Sequence, residues 1–190
     1  LSATIQSAQN AARAVADDID VRVVDSRSIT SGLGSQVVAA AESARNGASA
    51  DDIVAMVEDM ARRTKIIAAL DTLENLKKGG RIGGAQALVG NLLSIKPLLD
   101  VSSGRVEEAG KARTRKKALR WLADRLLEEP AVERLCVYHG EAPDLDEFLE
   151  LIASRFPREE IRTGLIGAVI GTHGGPRVIG VTWQQPTGAQ

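Results

Sequence analysis

The chain has 190 residues, 44% hydrophobic and 26% charged, which suits one full domain or two small ones and excludes a disordered chain. A formal net charge of -1 and only 3% aromatic residues count against nucleic acid, which favours a basic surface and rings for stacking. A single Cys136 and two histidines exclude a disulfide framework and a zinc site built from Cys and His.

No apolar run approaches ~18 residues, so no membrane-spanning helix is expected, and the compartment suggested is the cytoplasm. The opening Leu1-Ser2-Ala3-Thr4 has no Met, basic n-region or apolar h-region. It is therefore not a targeting segment, and a truncated or processed chain is expected.

Ile5, Ala8, Ala12, Val15 and Ile19 recur at steps of three and four, which predicts an amphipathic helix over 4–17. Val21-Arg22-Val23-Val24 is predicted as a short strand, and the polar stretch 25–31 ends it. Gly32 and Gly34 mark a loop into a helix over 35–45, closed by Asn46-Gly47. Ser49 and Asp52 resemble a capping box ahead of Ile53, Met56, Val57 and Met60. With a second strand over 65–70, the order strand, helix, helix, strand predicts an α/β unit with parallel strands.

Residues 73–78 are predicted as one or two helical turns, interrupted by Gly79-Gly80-Arg81-Ile82-Gly83-Gly84. A domain boundary is placed there, dividing 1–75 from 76–190. A helix over 85–93 precedes a strand over 95–101, whose Pro97 suggests a sheet edge or a bulge. Ser102-Ser103-Gly104 is a hairpin turn returning through 105–109. A helix over 113–128 is apolar at Ala118, Trp121, Leu122 and Leu126 and basic on its other side. Segments 135–138, 145–156, 161–166 and 178–181 complete a strand, helix, strand, strand order.

Three places suit an anion. Ser2 stands at the start of the first helix, where unpaired N–H groups and the helix dipole favour a phosphate or carboxylate; the plainer reading is an N-cap. Arg81 sits within the glycine-rich 79–84 segment, as a forked donor to an anion or as part of a hinge. The segment is neither a P-loop nor a dinucleotide fingerprint. His173 lies in Gly171-Thr172-His173-Gly174-Gly175-Pro176, read as a rigid turn between two apolar segments. His139, after a strand and before Gly140, is a weaker candidate at the sheet's C-terminal edge. Lys and Arg at 111, 113, 115, 116, 117 and 120 form either a solvated helix face or a docking surface. No nucleophile elbow and no cluster of acids supports hydrolysis or a divalent metal.

Taken together these segments resemble the DegV family. The resemblance rests on Leu1-Ser2-Ala3-Thr4-Ile5-Gln6-Ser7-Ala8, Val24-Asp25-Ser26 with Gly32-Leu33-Gly34, Asp71-Thr72-Leu73 and Gly79-Gly80-Arg81-Ile82. It continues through Ser94-Ile95-Lys96-Pro97, Lys111-Ala112-Arg113-Thr114 and Ile170-Gly171-Thr172-His173-Gly174-Gly175-Pro176, in the family's order. It implies two α/β domains, the first incomplete here, and a bacterial protein that binds a long-chain fatty acid. Ser2, Arg81 and His173 match the family's Ser, Gly-Gly-Arg-Ile Arg and Gly-Thr-His His. Ala3 replaces a usual Gly, and Gly174 and Arg177 alter the usual Thr-Gly-Pro-Gly after the His.

The implied ligand is a fatty acid with no further cofactor and no metal, its carboxylate on Ser2, Arg81 and His173. Burying ~14 methylenes at about 0.8 kcal/mol each is a gross term on the order of 11 kcal/mol, so the tail dominates affinity before ordering costs. The resemblance further implies a non-catalytic subunit presenting the acid to a separate kinase. Arg81, Arg113, Arg115, Lys116 and Lys117 are the candidate docking residues. The alternative is an enzyme of phosphate-ester or acyl chemistry using 79–84 and His173.

Overall fold

The computed structural model describes residues 1–91 and 95–188. Its elements are α1 (Thr4–Ala14), α2 (Thr30–Arg45), α3 (Ala50–Arg63), β1 (Thr64–Ala69), α4 (Glu74–Lys78), a 3₁₀ helix (Gly83–Asn91), β2 (Lys96–Asp100), β3 (Glu107–Ala112), α5 (Arg115–Leu127), β4 (Glu133–His139), α6 (Leu145–Ile152), a 3₁₀ turn (Arg158–Glu160), β5 (Arg162–Leu165), α7 (Ala168–Gly174) and β6 (Ile179–Gln184). The strands form one six-stranded sheet in the order β3-β2-β1-β6-β4-β5. Among the described residues only the β4–β5 pair is parallel; β1–β2, β1–β6, β2–β3 and β4–β6 are antiparallel.

Strand alternation gives the sheet two different faces. On one, Ile67, Ala69, Val137, Ile179 and Val181 meet Leu119, Leu122 and Leu126 of α5 and Phe148 and Ile152 of α6 in a dry core. On the other, Leu99 with the post-β1 Leu70 and pre-β6 Val178 packs against Leu73, Leu76, Ala85 and Leu88. Helix α2 also crosses this second face: a methyl on Gly32 would overlap the Ser28 hydroxyl and stand 3.1 Å from Thr64 Cγ2 and 3.2 Å from Ile66 Cδ1. Helix α3 starts at a real cap, with Ser49 Oγ accepting from Asp52 N at 3.1 Å and donating to Asp52 Oδ2 at 2.6 Å.

The structure corrects several expectations. Val21–Val24 is no strand: it pairs with nothing among the described residues and Val21 is 44% exposed. A β-branched run becomes a strand only beside a partner that takes its N–H and C=O groups. With that strand gone, the parallel unit predicted for the first half gives way to a mixed, mainly antiparallel sheet. Gly32 and Gly34 lie inside α2, which begins at Thr30; glycine there serves close packing, not a loop. The predicted helix over 85–93 is a 3₁₀ helix as far as Asn91, and its last two residues lie outside the described ones. Of the two readings of Pro97, edge or bulge, the bulge holds: β2 is an inner strand with a bulge between Leu98 and Leu99. Strand β1 precedes the 75/76 boundary placed from the sequence, yet it is bonded on both sides to strands that follow it.

Candidate functional site

The second face of the sheet is incompletely filled. A cavity of about 190 Å³ lies over Ile66 and Ala68 of β1 and Gly180 and Thr182 of β6. Most of its lining is aliphatic, which suits an apolar occupant. The cavity's polar exceptions are few, and Ser2, Arg81 and His173 are among its lining residues. Residues 171 positions apart in the chain are thus brought to one slot.

Each is held differently. Ser2 Oγ accepts from Thr4 N at 3.2 Å and shares a 2.7 Å hydrogen bond with Thr4 Oγ1; the N-cap of α1 is Ala3, so Ser2 stands one residue before the cap position considered from the sequence. That hydroxyl pair still has lone pairs and a proton to offer an anion. Arg81 donates through Nη1 to Gly79 O at 2.9 Å and through Nε to Leu1 O at 3.3 Å, joining the glycine-rich segment to the start of the chain. His173 does not sit in a turn, as expected, but in the last turn of the short helix α7. The turn proper is Gly175-Pro176-Arg177, with φ of 78° at Gly175 and 61° at Arg177. The imidazole lies against the backbone of Gly79, and its Nδ1 is buried without a hydrogen-bond partner among the described residues.

An ion-pair cluster missed by the sequence reading steadies this turn. Arg115 donates to both Asp144 oxygens at 2.8 and 3.0 Å and to Arg177 O at 2.7 Å. Arg177 approaches Asp71 at 3.5 Å and Asp144 at 3.6 Å, while Lys96 meets Asp71 at 3.3 Å. Burial alone would raise the Asp144 carboxyl; the Arg115 bonds and the nearby Arg177 outweigh it and hold the group below its ordinary value. Arg177 therefore keeps a left-handed backbone that usually favours glycine, with its side chain tied to two carboxylates. Asparagine 75 adds a bond from Nδ2 to Thr172 O at 3.1 Å.

Other candidates fall outside the slot. His139 Nδ1 accepts from Ala142 N at 3.2 Å, which closes the bend after β4. Arg115 is 13% exposed and committed to Asp144, so it does not belong to a solvated basic face. Arg113, Lys116 and Lys117 are exposed, the first just before α5 and the other two on it, and α5 packs against the opposite face of the sheet. Burial pushes the Cys136 thiol up, against smaller opposing effects from Ser31 and Arg162, and Cys136 is not among the cavity's lining residues. Tyr138 and Gly180 line the cavity unanticipated; an isolated glycine in an apolar strand was the available signal.

The DegV family model matches residues 1–185. The chain belongs to the DegV family. DegV domain-containing proteins of Streptomyces coelicolor and Deinococcus radiodurans are 39% and 40% identical over 95% of this chain, which spans 66% and 65% of their length. The fold superposes on a DegV family protein from Thermus thermophilus described as fatty-acid binding, with TM-score 0.85 and 36% identity over 97% of this chain and 67% of that one. DegV of Bacillus subtilis, a fatty-acid-binding protein, matches with TM-score 0.80 and 31% identity over 97% and 67%. The chain thus spans about two-thirds of its DegV relatives. Among the described residues no helix is long and apolar enough to cross a membrane.

Proposed function

We propose that this DegV chain binds one long-chain fatty acid, with the acyl tail along the apolar face of β1 and β6 and the carboxylate at Ser2 and His173, near Arg81. One observation carries the reading: a mainly aliphatic slot whose lining includes a hydroxyl, an imidazole and a guanidinium. Charge-assisted hydrogen bonds suit a carboxylate, and the tail supplies most of the affinity through buried methylenes. The solved relatives that bind fatty acids share this fold. The protein acts as a carrier that presents the acid to a separate kinase, which docks around exposed Arg81 with Arg113, Lys116 and Lys117 as a second contact. Screening makes such a contact salt-sensitive.

Lipid extraction and mass spectrometry of the purified protein test the first part, with about one fatty acid per chain expected. Recovery of a nucleotide or sugar phosphate alone overturns it. Ser2→Ala is expected to weaken binding by about 1–3 kcal/mol, the scale of a hydrogen bond to a charged group. Unchanged affinity removes Ser2 from the head-group site. Docking is tested by acyl-phosphate formation with the kinase at low and high salt, comparing the parent with Arg81→Ala and with Lys116→Gln/Lys117→Gln. Equal turnover throughout removes both docking patches.

A further inference from the structure

The registry of β1 and β6 divides the slot into layers. Pairing sets Ala69 beside Ile179, Ala68 beside Gly180 and Ile66 beside Thr182. On the cavity face the successive layers are therefore Leu70 with Val178, Ala68 with Gly180, and Ile66 with Thr182. His173 and Gly174, at the end of α7, line the slot at the first layer's end, a methyl on Gly174 standing 3.5 Å from Val178 Cγ1, and Ile29 and Thr30 line it with the third. At that inner end the Ser31 hydroxyl bonds to Thr182 Oγ1, and Ser31 and Thr182 are both 5% exposed. Helix α2 thus closes the slot there.

The middle layer is built from the smallest side chains. Leu99 and Tyr138 flank it, since Leu99 pairs with Ala68 and Tyr138 with Gly180. A methyl on Gly180 would stand 3.7 Å from Ile67 O, 3.8 Å from Ala68 Cβ and 3.9 Å from Tyr138 O. These are ordinary contact distances, and Gly180 has no positive φ. Neither backbone conformation nor crowding within the sheet demands glycine at this place. A side chain there takes its room from the cavity.

We propose that Gly180, together with Ala68, is the specificity-determining position of the slot: its missing side chain lets an acyl tail pass from the His173 end into the inner layer. The proposal rests on the fatty-acid reading above. Between Gly180 and Thr182 the strand advances about 7 Å, which is the depth a bulky residue at 180 denies to the tail. The ligand class selected by glycine is an acyl chain long enough to reach Thr182.

The experiment compares bound lipids in the parent, Gly180→Ala, Gly180→Leu and Ala68→Val by mass spectrometry after equilibration with an equimolar mixture of saturated acids of graded length. Thermal melting checks each fold. Gly180→Leu and Ala68→Val should shift the bound population to acids several carbons shorter and lower affinity for the longest acid at least about tenfold, with Gly180→Ala between them and the parent. Gly180→Ala keeps the comparison readable if leucine disrupts the sheet. A parent loaded with fatty acid and folded variants with the same length distribution overturn this proposal alone. A parent that takes up no fatty acid overturns the functional reading and this proposal with it.

Discussion

At the scale of single residues, the glycine-rich segment owes one of its members to a neighbour. Gly79 has φ of -79° and ψ of -4°, values open to any residue. A methyl on it would nevertheless fall inside the His173 imidazole, 2.6 Å from Cε1, and 3.2 Å from Asn75 O. The ring therefore uses the space that a side chain at 79 would fill. Gly79→Ala is expected to push His173 off its seat and weaken fatty-acid binding by about 10–100-fold, the equivalent of one charge-assisted hydrogen bond. Titration calorimetry reads the affinity and the His173 ring resonances in NMR read the displacement. An unmoved ring signal with parental affinity would show that the seat is not needed. Gly34 is the contrast: no atom lies within 4 Å of a side chain built there.

At the scale of elements, the carboxylates and cations at one end of the sheet tie segments that are far apart in sequence. Asp71 follows β1, Lys96 starts β2, Arg115 starts α5, Asp144 precedes α6 and Arg177 follows α7. Because the folded state holds the Asp144 carboxyl below its ordinary value, folding favours the ionised form. That stabilisation is fully present above the unfolded value of about 4 and is lost as pH falls through the lower folded value. Asp144→Asn is expected to cost about 1–3 kcal/mol at pH 7, since it leaves Arg115 short of a charged partner in a half-buried place. The gap between parent and variant should narrow on acidification to pH 3 or below. Urea midpoints at both pH values check this, and a constant gap would mean that the carboxylate charge contributes nothing.

The whole molecule is lopsided. One face of its sheet carries a complete core in which Phe148, Ile152, Leu122 and Leu126 are 0% exposed. Helix α1 has no buried residue, although its sequence is strongly amphipathic. Local stability follows buried apolar contact, so amide hydrogen exchange should be fastest in α1 and slowest in α5, α6 and the inner strands. Saturating fatty acid should slow exchange at the first turn of α1, which follows directly on the slot-lining Leu1 and Ser2, because binding stabilises the state that binds. Equal protection of α1 and α5 without ligand would contradict this account of where the stability resides.

Much of the local structure was legible in the residues themselves. The cap at Ser49, the turn at Gly104, the bulge signalled by Pro97 and the apolar stripe of α5 depend on contacts within a few positions. The motifs around Ser2, Arg81 and His173 pointed to one family and one class of ligand for the same reason: each is a short run with its own chemistry. Other features required the folded chain. Val21–Val24 has strand propensity but no partner among the described residues, and propensity cannot supply one. Gly32 reads as a loop signal until β1 is seen against it. Arg115 reads as a surface charge until Asp144, 29 positions away, is placed beside it. Above all, the slot exists only because the register of β1 and β6 sets Ala68 beside Gly180. Strand register is a long-range property, decided by which faces bury best when the sheet assembles, and no window of the sequence contains both strands.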